Sequence, residues 1–234
     1  MLVVVKIGVG VATHAHPQRY GQVMAGLYEN FDGPIYTHVD GSAEDYDEYR
    51  AVKDALYESH ARHRGSKTYW TSARARHGWA KTKNRVLRQM LDNGCDWLFV
   101  SGDGVVVESP EAVHGYIEAC RVSGWGHLSF ARGPGDALNF AGAWAVYSRQ
   151  SLLTCGLMDE RFFNCWEHVE HTLRLSEAGF APRLRGSADA AGSEGWLREI
   201  EGSREVFHSD GENVVQGREI WREFHPDTYR LAFP

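Results

Sequence analysis

Apolar positions in this chain fall into short runs separated by amphipathic stretches. Val3 to Ala12 is a near-continuous apolar run, the pattern of a strand buried on both faces, and it ends in the polar loop Thr13-His14-Ala15-His16-Pro17. Proline suits a first helical turn, which predicts a helix from Pro17 to Asn30. Pro34 to Val39 reads as a second strand ending at Asp40-Gly41-Ser42, and Ala43 to His60 as a helix with an acidic first half. Gly78 to Leu91 presents Trp79, Val86, Leu87, Met90 and Leu91 as an apolar helix face, broken by Asn93-Gly94. Asp96 to Ser101 is a third strand. A helix over Pro110–Val122, strands near His127–Phe130 and Ala143–Tyr147, and a helix from Trp166 follow. In that last helix Val169, Leu173 and Leu175 face a core and Gly179 is placed as the C-cap. Gly186 to Gly195, small and polar, predicts a loop. Strands separated by helices predict an α/β domain with a Rossmann-like, mostly parallel sheet flanked by helices.

Composition supports one folded unit. The 234 residues are 43% hydrophobic and 24% charged, which excludes a disordered chain. No apolar run reaches the roughly 18 residues of a membrane span, and Met1 to Val11 lacks the basic start and cleavage pattern of a signal peptide. Cys95, Cys120, Cys155 and Cys165 show no CxxC spacing, so a reduced, cytoplasmic protein is expected. The net charge of −6 hides an asymmetry: Ser59 to Leu91 holds nine Lys or Arg residues and no acid. Arg62, Arg64, Lys67 and Arg74, with Tyr69, Trp70 and Trp79 interleaved, suit a polyanion: a nucleotide diphosphate, or a nucleic-acid backbone. A solvated helix face is the plain alternative.

In a parallel α/β sheet, ligands gather beyond the carboxyl ends of the strands. Thr13-His14, Asp40-Gly41-Ser42 and Ser101-Gly102-Asp103-Gly104 occupy such ends. Further on come Gly156-Leu157-Met158-Asp159-Glu160-Arg161-Phe162-Phe163 and the segment from Trp166-Glu167-His168-Val169-Glu170 to Gly179-Phe180. These last two blocks resemble the C-terminal signature of family 2 glycosyltransferases, a G-x-x-D-E-x-F-F turn followed by an E-D-x-D-x-x-x-R-L helix. The family's Glu-Asp pair reads Glu167-His168 here, and its later Asp reads Glu170. Asp40-Gly41-Ser42 is similar to the family's V-D-D-G-S turn, with Val39 for one Asp. Arg76 to Asn84 is similar to its N-x-G-x-[AS]-x-x-x-N helix opening, and Phe99 to Val106 to its D-x-D strand end, with Ser101 for the first Asp. The resemblance spans about residues 1 to 185.

The resemblance implies a single glycosyltransferase A-type domain over 1–234. Residues 1–105 would form the nucleotide-sugar half, 106–185 the acceptor half, and 186–234 a C-terminal loop and tail. It implies a metal-dependent, inverting transfer from a nucleotide-sugar, a UDP-sugar for preference, to an acceptor hydroxyl. Asp103 and the late His208 would hold Mn or Mg; Thr13, Asp40, Ser42, Arg76 and Ser101 would line the donor. His168 stands at the family's base position, and imidazole, with an ordinary pKa of about 6.5, suits that task near neutral pH. Glu167 could serve instead, or could orient the ring. The acceptor stays open between a hydroxymethylated base in DNA, fitting the basic window, and a saccharide or lipid-linked sugar. Two other readings compete: a metal-dependent hydrolase built on the His14/His16 pair, with His168 and His171 adding ligands from one helix face, and a degenerate relative that only binds a nucleotide.

Overall fold

The computed structural model describes residues 4–41, 43–59, 68–72, 76–130, 143–182, 189–203, 211–224 and 226. In chain order its elements are β1 (Ile7–Thr13), α1 (Pro17–Asn30), β2 (Ile35–Val39), α2 (Ala43–Ser59), β3 (Thr68–Ser72), α3 (Trp79–Asp92), β4 (Trp97–Ser101), β5 (Val105–Val107), α4 (Glu111–Ser123), β6 (His127–Ser129), β7 (Trp144–Ser148), α5 (Arg149–Cys155), α6 (Glu167–Glu177), β8 (Leu197–Glu199) and α7 (Gly211–Phe224).

Six strands form one sheet in the order β3-β2-β1-β4-β7-β6. β3, β2, β1 and β4 run parallel, while β7 is antiparallel to both β4 and β6. The strand order reverses at β1, so its carboxyl end and that of β4 flank the crevice where such sheets bind ligands. The alternation of a strand sorts the core into two layers. Val9, Val11 and Phe99 pack with α1 and α4, while Tyr36, Leu98 and Val100 pack with α3 and α6. A short antiparallel pair, β5 with β8, extends the first layer.

The expected α/β architecture is therefore the observed one. The open sheet excludes the barrel that the His14/His16 hydrolase reading would require. The elements that pattern reading passed over are short or lie in polar stretches: β3 in the basic window, β5 and β8 at three residues each, α5 at seven, and α7 in the tail read as loop. All four cysteines are free. Among the described residues no helix is long and apolar enough to cross a membrane.

Candidate active site

At the carboxyl end of β1 a chain of neutral donors converges on Asp103. Its carboxylate is 3% exposed and accepts the Thr13 hydroxyl at 2.9 Å and the His14 amide at 3.4 Å, both on Oδ2. Thr13 has one hydroxyl proton and gives it to Asp103, so the Tyr49 hydroxyl, 2.9 Å away, must donate to Thr13 Oγ1. Tyr49 in turn accepts the His16 amide at 2.8 Å. The result is a one-way relay from α2 and the β1 turn into Asp103. Burial pushes the Asp103 carboxyl up from its ordinary value, and the Thr13 hydrogen bond partly offsets this. Burial pulls the His16 imidazole down, against the attraction of Asp103.

Asp40, at the end of β2, is also buried. Its two carboxylate oxygens accept the backbone amides of His77 at 2.6 Å and Gly78 at 2.9 Å, so it anchors the turn that opens α3. The Asp40 carbonyl accepts Nδ1–H of His14. Gly78 has φ +84°, and a Cβ there would collide with the Phe163 carbonyl oxygen, which accepts the Trp79 amide at 2.6 Å. The DGS turn, the α3 opening and the G-x-x-D-E-x-F-F turn thus meet at one place. Asn84 completes the joint: its amide exchanges hydrogen bonds with the Met158 backbone at 2.8 and 3.0 Å and reaches Glu160 at 3.0 Å.

The first turn of α6 carries the second half of the site. Glu167 is 2% exposed, and its Oε1 takes both Lys83 Nζ at 2.9 Å and His168 Nδ1 at 3.4 Å. Burial alone would raise the Glu167 carboxyl, but the Lys83 ammonium, with His168, holds it well below the usual carboxylate range. His168 keeps 29% of its side chain exposed. A carboxylate can only accept, so His168 Nδ1 is the donor and Nε2 is left as the basic nitrogen. Glu170 is spent on Arg174, at 2.5 and 2.8 Å, and Arg174 also donates to the carbonyls of Cys155 and Leu157. His171 points into the core, where its Nε2–H meets the Gly156 carbonyl at 2.9 Å and burial lowers its pKa to about 3. It does not share a ligand face with His168, which removes that part of the hydrolase reading.

Trp79 links the two halves. A Cβ at Gly102 would lie 3.9 Å from its ring, and Lys83 Nζ stands 5.5 Å from the ring centroid. The two non-glycine residues with positive φ among those described are Ala15 (56°), inside the turn after β1, and Trp166 (71°), immediately before α6. Trp166 is held by α7, where a Cβ on Gly217 would stand 2.5 Å from its ring, and Trp221 packs on Phe162, Val169 and Leu173.

The remaining candidates are placed as follows. Ser101 is fully buried and its hydroxyl donates to the adjacent Gly102 carbonyl at 2.8 Å. Arg76 is exposed, with its guanidinium 5.3 Å over the Phe163 ring. Ser42, Arg62, Arg64, Lys67, Arg74 and His208 lie outside the described residues. Of the window's described cations, Lys83 and Arg88 are taken by Glu167 and Glu160, which leaves less charge for a polyanion than the sequence suggested. Among the described residues no three His, Cys, Asp or Glu side chains converge as a metal cage. One buried carboxylate fits instead a hard cation that arrives with a diphosphate and takes most ligands from it. An open hollow of about 440 Å³ beside Trp97, Arg149 and Leu153 lies at the opposite end of β4 and takes no part.

Sequence reading missed Lys83 and Tyr49 as site residues. Lys83 carried a signal: four residues from Trp79 and from Leu87, it falls on the apolar face of α3, where a lysine needs a buried partner. Tyr49 carried none.

No protein-family model and no curated protein matches the sequence. Solved structures do. The chain is similar to a glucosyl-3-phosphoglycerate synthase from Mycobacterium tuberculosis, solved in complex with Mn²⁺, UDP and phosphoglyceric acid, at 14% identity and TM-score 0.56 over 90% of this chain and 76% of that one. It is also similar to HddC from Yersinia pseudotuberculosis, at 12% identity and TM-score 0.50 over 89% of this chain and 99% of that one. The architecture is the glycosyltransferase A-type fold.

Proposed function

We propose that the protein is an inverting glycosyltransferase that moves a sugar from a nucleotide-sugar to an acceptor hydroxyl. The observation that carries this reading is the imidazole of His168, partly exposed on the first turn of α6 with Nδ1 committed to buried Glu167. In the proposed step His168 Nε2 takes the acceptor hydroxyl's proton as that oxygen attacks the anomeric carbon and the bond to the diphosphate breaks. Glu167 orients the ring and faces the imidazolium that forms; its low proton affinity makes it a poor base. Asp103 would hold a divalent cation, Mn²⁺ or Mg²⁺, whose chemistry is to neutralise the leaving diphosphate. Thr13 and Asp40 shape the donor side through the Asp103 relay and the α3 turn.

In this reading residues 1–105 would bind the donor and 106–185 the acceptor, and α7 of the tail, packed on Trp166, would brace the base. A small hydroxylated acceptor suits the charge already neutralised in the basic window better than DNA does. The test is release of nucleoside diphosphate over a panel of UDP-, GDP- and TDP-sugars, with and without Mn²⁺, in the presence of saccharides or hydroxymethylated DNA. Metal-dependent release from at least one donor is expected. No release from any donor, with nucleotide still bound, would favour a degenerate nucleotide-binding relative instead.

A further inference from the structure

Lys83 is an unusual residue to find inside a protein: its side chain is 5% exposed, in the second turn of α3, 84 positions from its partner. Lysine is almost never so buried unless paired. Its partner is Glu167, and the same oxygen, Oε1, also receives His168 Nδ1. The other oxygen, Oε2, is buried and has no hydrogen-bond partner among the described residues. Everything that keeps this carboxylate ionised and aimed at the imidazole therefore passes through one atom.

The other groups packed around it cannot replace that cation. Tyr147 from β7 is buried, and burial drives its hydroxyl far above neutral pH. His127 from β6 and His171 from α6 are lowered by burial to about 4 and about 3, so both are neutral in the working range. Arg174 is held by Glu170 and two carbonyls. Without Lys83, a carboxyl this deeply buried would take up a proton. A protonated carboxyl can donate as well as accept, and it would no longer dictate which imidazole nitrogen carries the proton.

We propose that Lys83 is a positioning residue, which holds Glu167 as the acceptor for His168 Nδ1–H and so fixes Nε2 as the nitrogen able to take a proton. Its consequence for catalysis rests on His168 being the base; its consequence for the tautomer does not.

The experiment is a long-range ¹⁵N NMR measurement of the His168 ring nitrogens, assigned by difference against His168→Gln. It is made in the wild type, Lys83→Arg, Lys83→Met and the double variant Lys83→Met/Glu167→Gln. In the double variant the buried charge leaves with its partner, which keeps the test usable if the single change unfolds the protein. The wild type and Lys83→Arg should show an unprotonated Nε2. Lys83→Met and the double variant should move to the tautomer mixture of a solvent-exposed histidine. On the productive donor, Lys83→Met should lower kcat by roughly 10- to 100-fold with KM for the donor unchanged, and Lys83→Arg should restore most of it. Identical His168 nitrogen shifts in the wild type and both methionine variants would overturn the proposal, as would a wild type protonated at Nε2. A tautomer shift in a protein that releases no nucleoside diphosphate would leave the Lys83 role standing and sink the transferase reading alone.

Discussion

The two sides of the site bury carboxylates in opposite ways. On the strand edge Asp40 and Asp103 are held by neutral donors, namely backbone amides and the Thr13 hydroxyl. On α6 Glu167 and Glu170 are held by cations, Lys83 and Arg174. Neutral donors stabilise a carboxylate but leave its charge in place, so the strand edge keeps a field that attracts a cation. An ion pair cancels its own field, and what remains is direction. On the proposed function Glu167 would therefore aim His168 without repelling a phosphorylated donor. On the same reading one edge would attract and the other orient, the division of labour a metal-assisted transfer with a separate base requires.

Variants can break either half of that contrast. The largest effect is expected at the proposed base: His168→Ala should lower transfer by ~10²–10⁴-fold while nucleotide binding, read by calorimetry, is unchanged. Next is the ion pair. Lys83→Met takes the cation from a buried carboxyl, which must then take up a proton, and should cost roughly 3–5 kcal/mol in urea unfolding, most of it recovered by adding Glu167→Gln. On the neutral-donor side, Asp40→Ala removes the acceptor of the His77 and Gly78 amides and should cost about 1–3 kcal/mol, with no recovery from changing any single cation.

The smallest effect is in acid. Glu167 has a folded-state pKa below its ordinary value of 4.5, so the unfolded chain binds that proton first. The stability it contributes is present above about pH 4.5 and is lost as pH falls toward the folded value. Glu167→Gln should flatten that portion of the urea midpoint against pH; an unchanged acid limb would mean that Lys83 does not hold the carboxylate ionised.

What the sequence disclosed, it disclosed through local pattern. β1, β2 and β4 are legible because each is an apolar run between turn residues, α1 because Pro17 suits a first helical turn, and α3 and α6 because their apolar residues recur at helical spacing. β5 and β8 are too short to show alternation, and β3 is polar enough to pass for loop. The Glu167-His168 pair was legible because its members are adjacent, and Asp103 because a strand leads directly to it. Lys83 on Glu167 and Tyr49 on Thr13 are contacts across 84 and 36 positions, made by packing one helix on another or on the sheet. The sequence alone assigned Lys83 to a patch for polyanions; its burial against Glu167 gives it a different task. Ser101 reads as a site residue by position, yet its hydroxyl turns back onto the next carbonyl.

On the proposed function the strand edge keeps its negative charge to receive a cation with a nucleotide. The most direct measurement is calorimetric titration of UDP into the wild type and Asp103→Asn, each with and without Mn²⁺. Binding that Mn²⁺ strengthens is expected in the wild type and no metal dependence in Asp103→Asn, with unchanged circular dichroism showing that the fold is intact. Equal Mn²⁺ dependence in both proteins would contradict this reading.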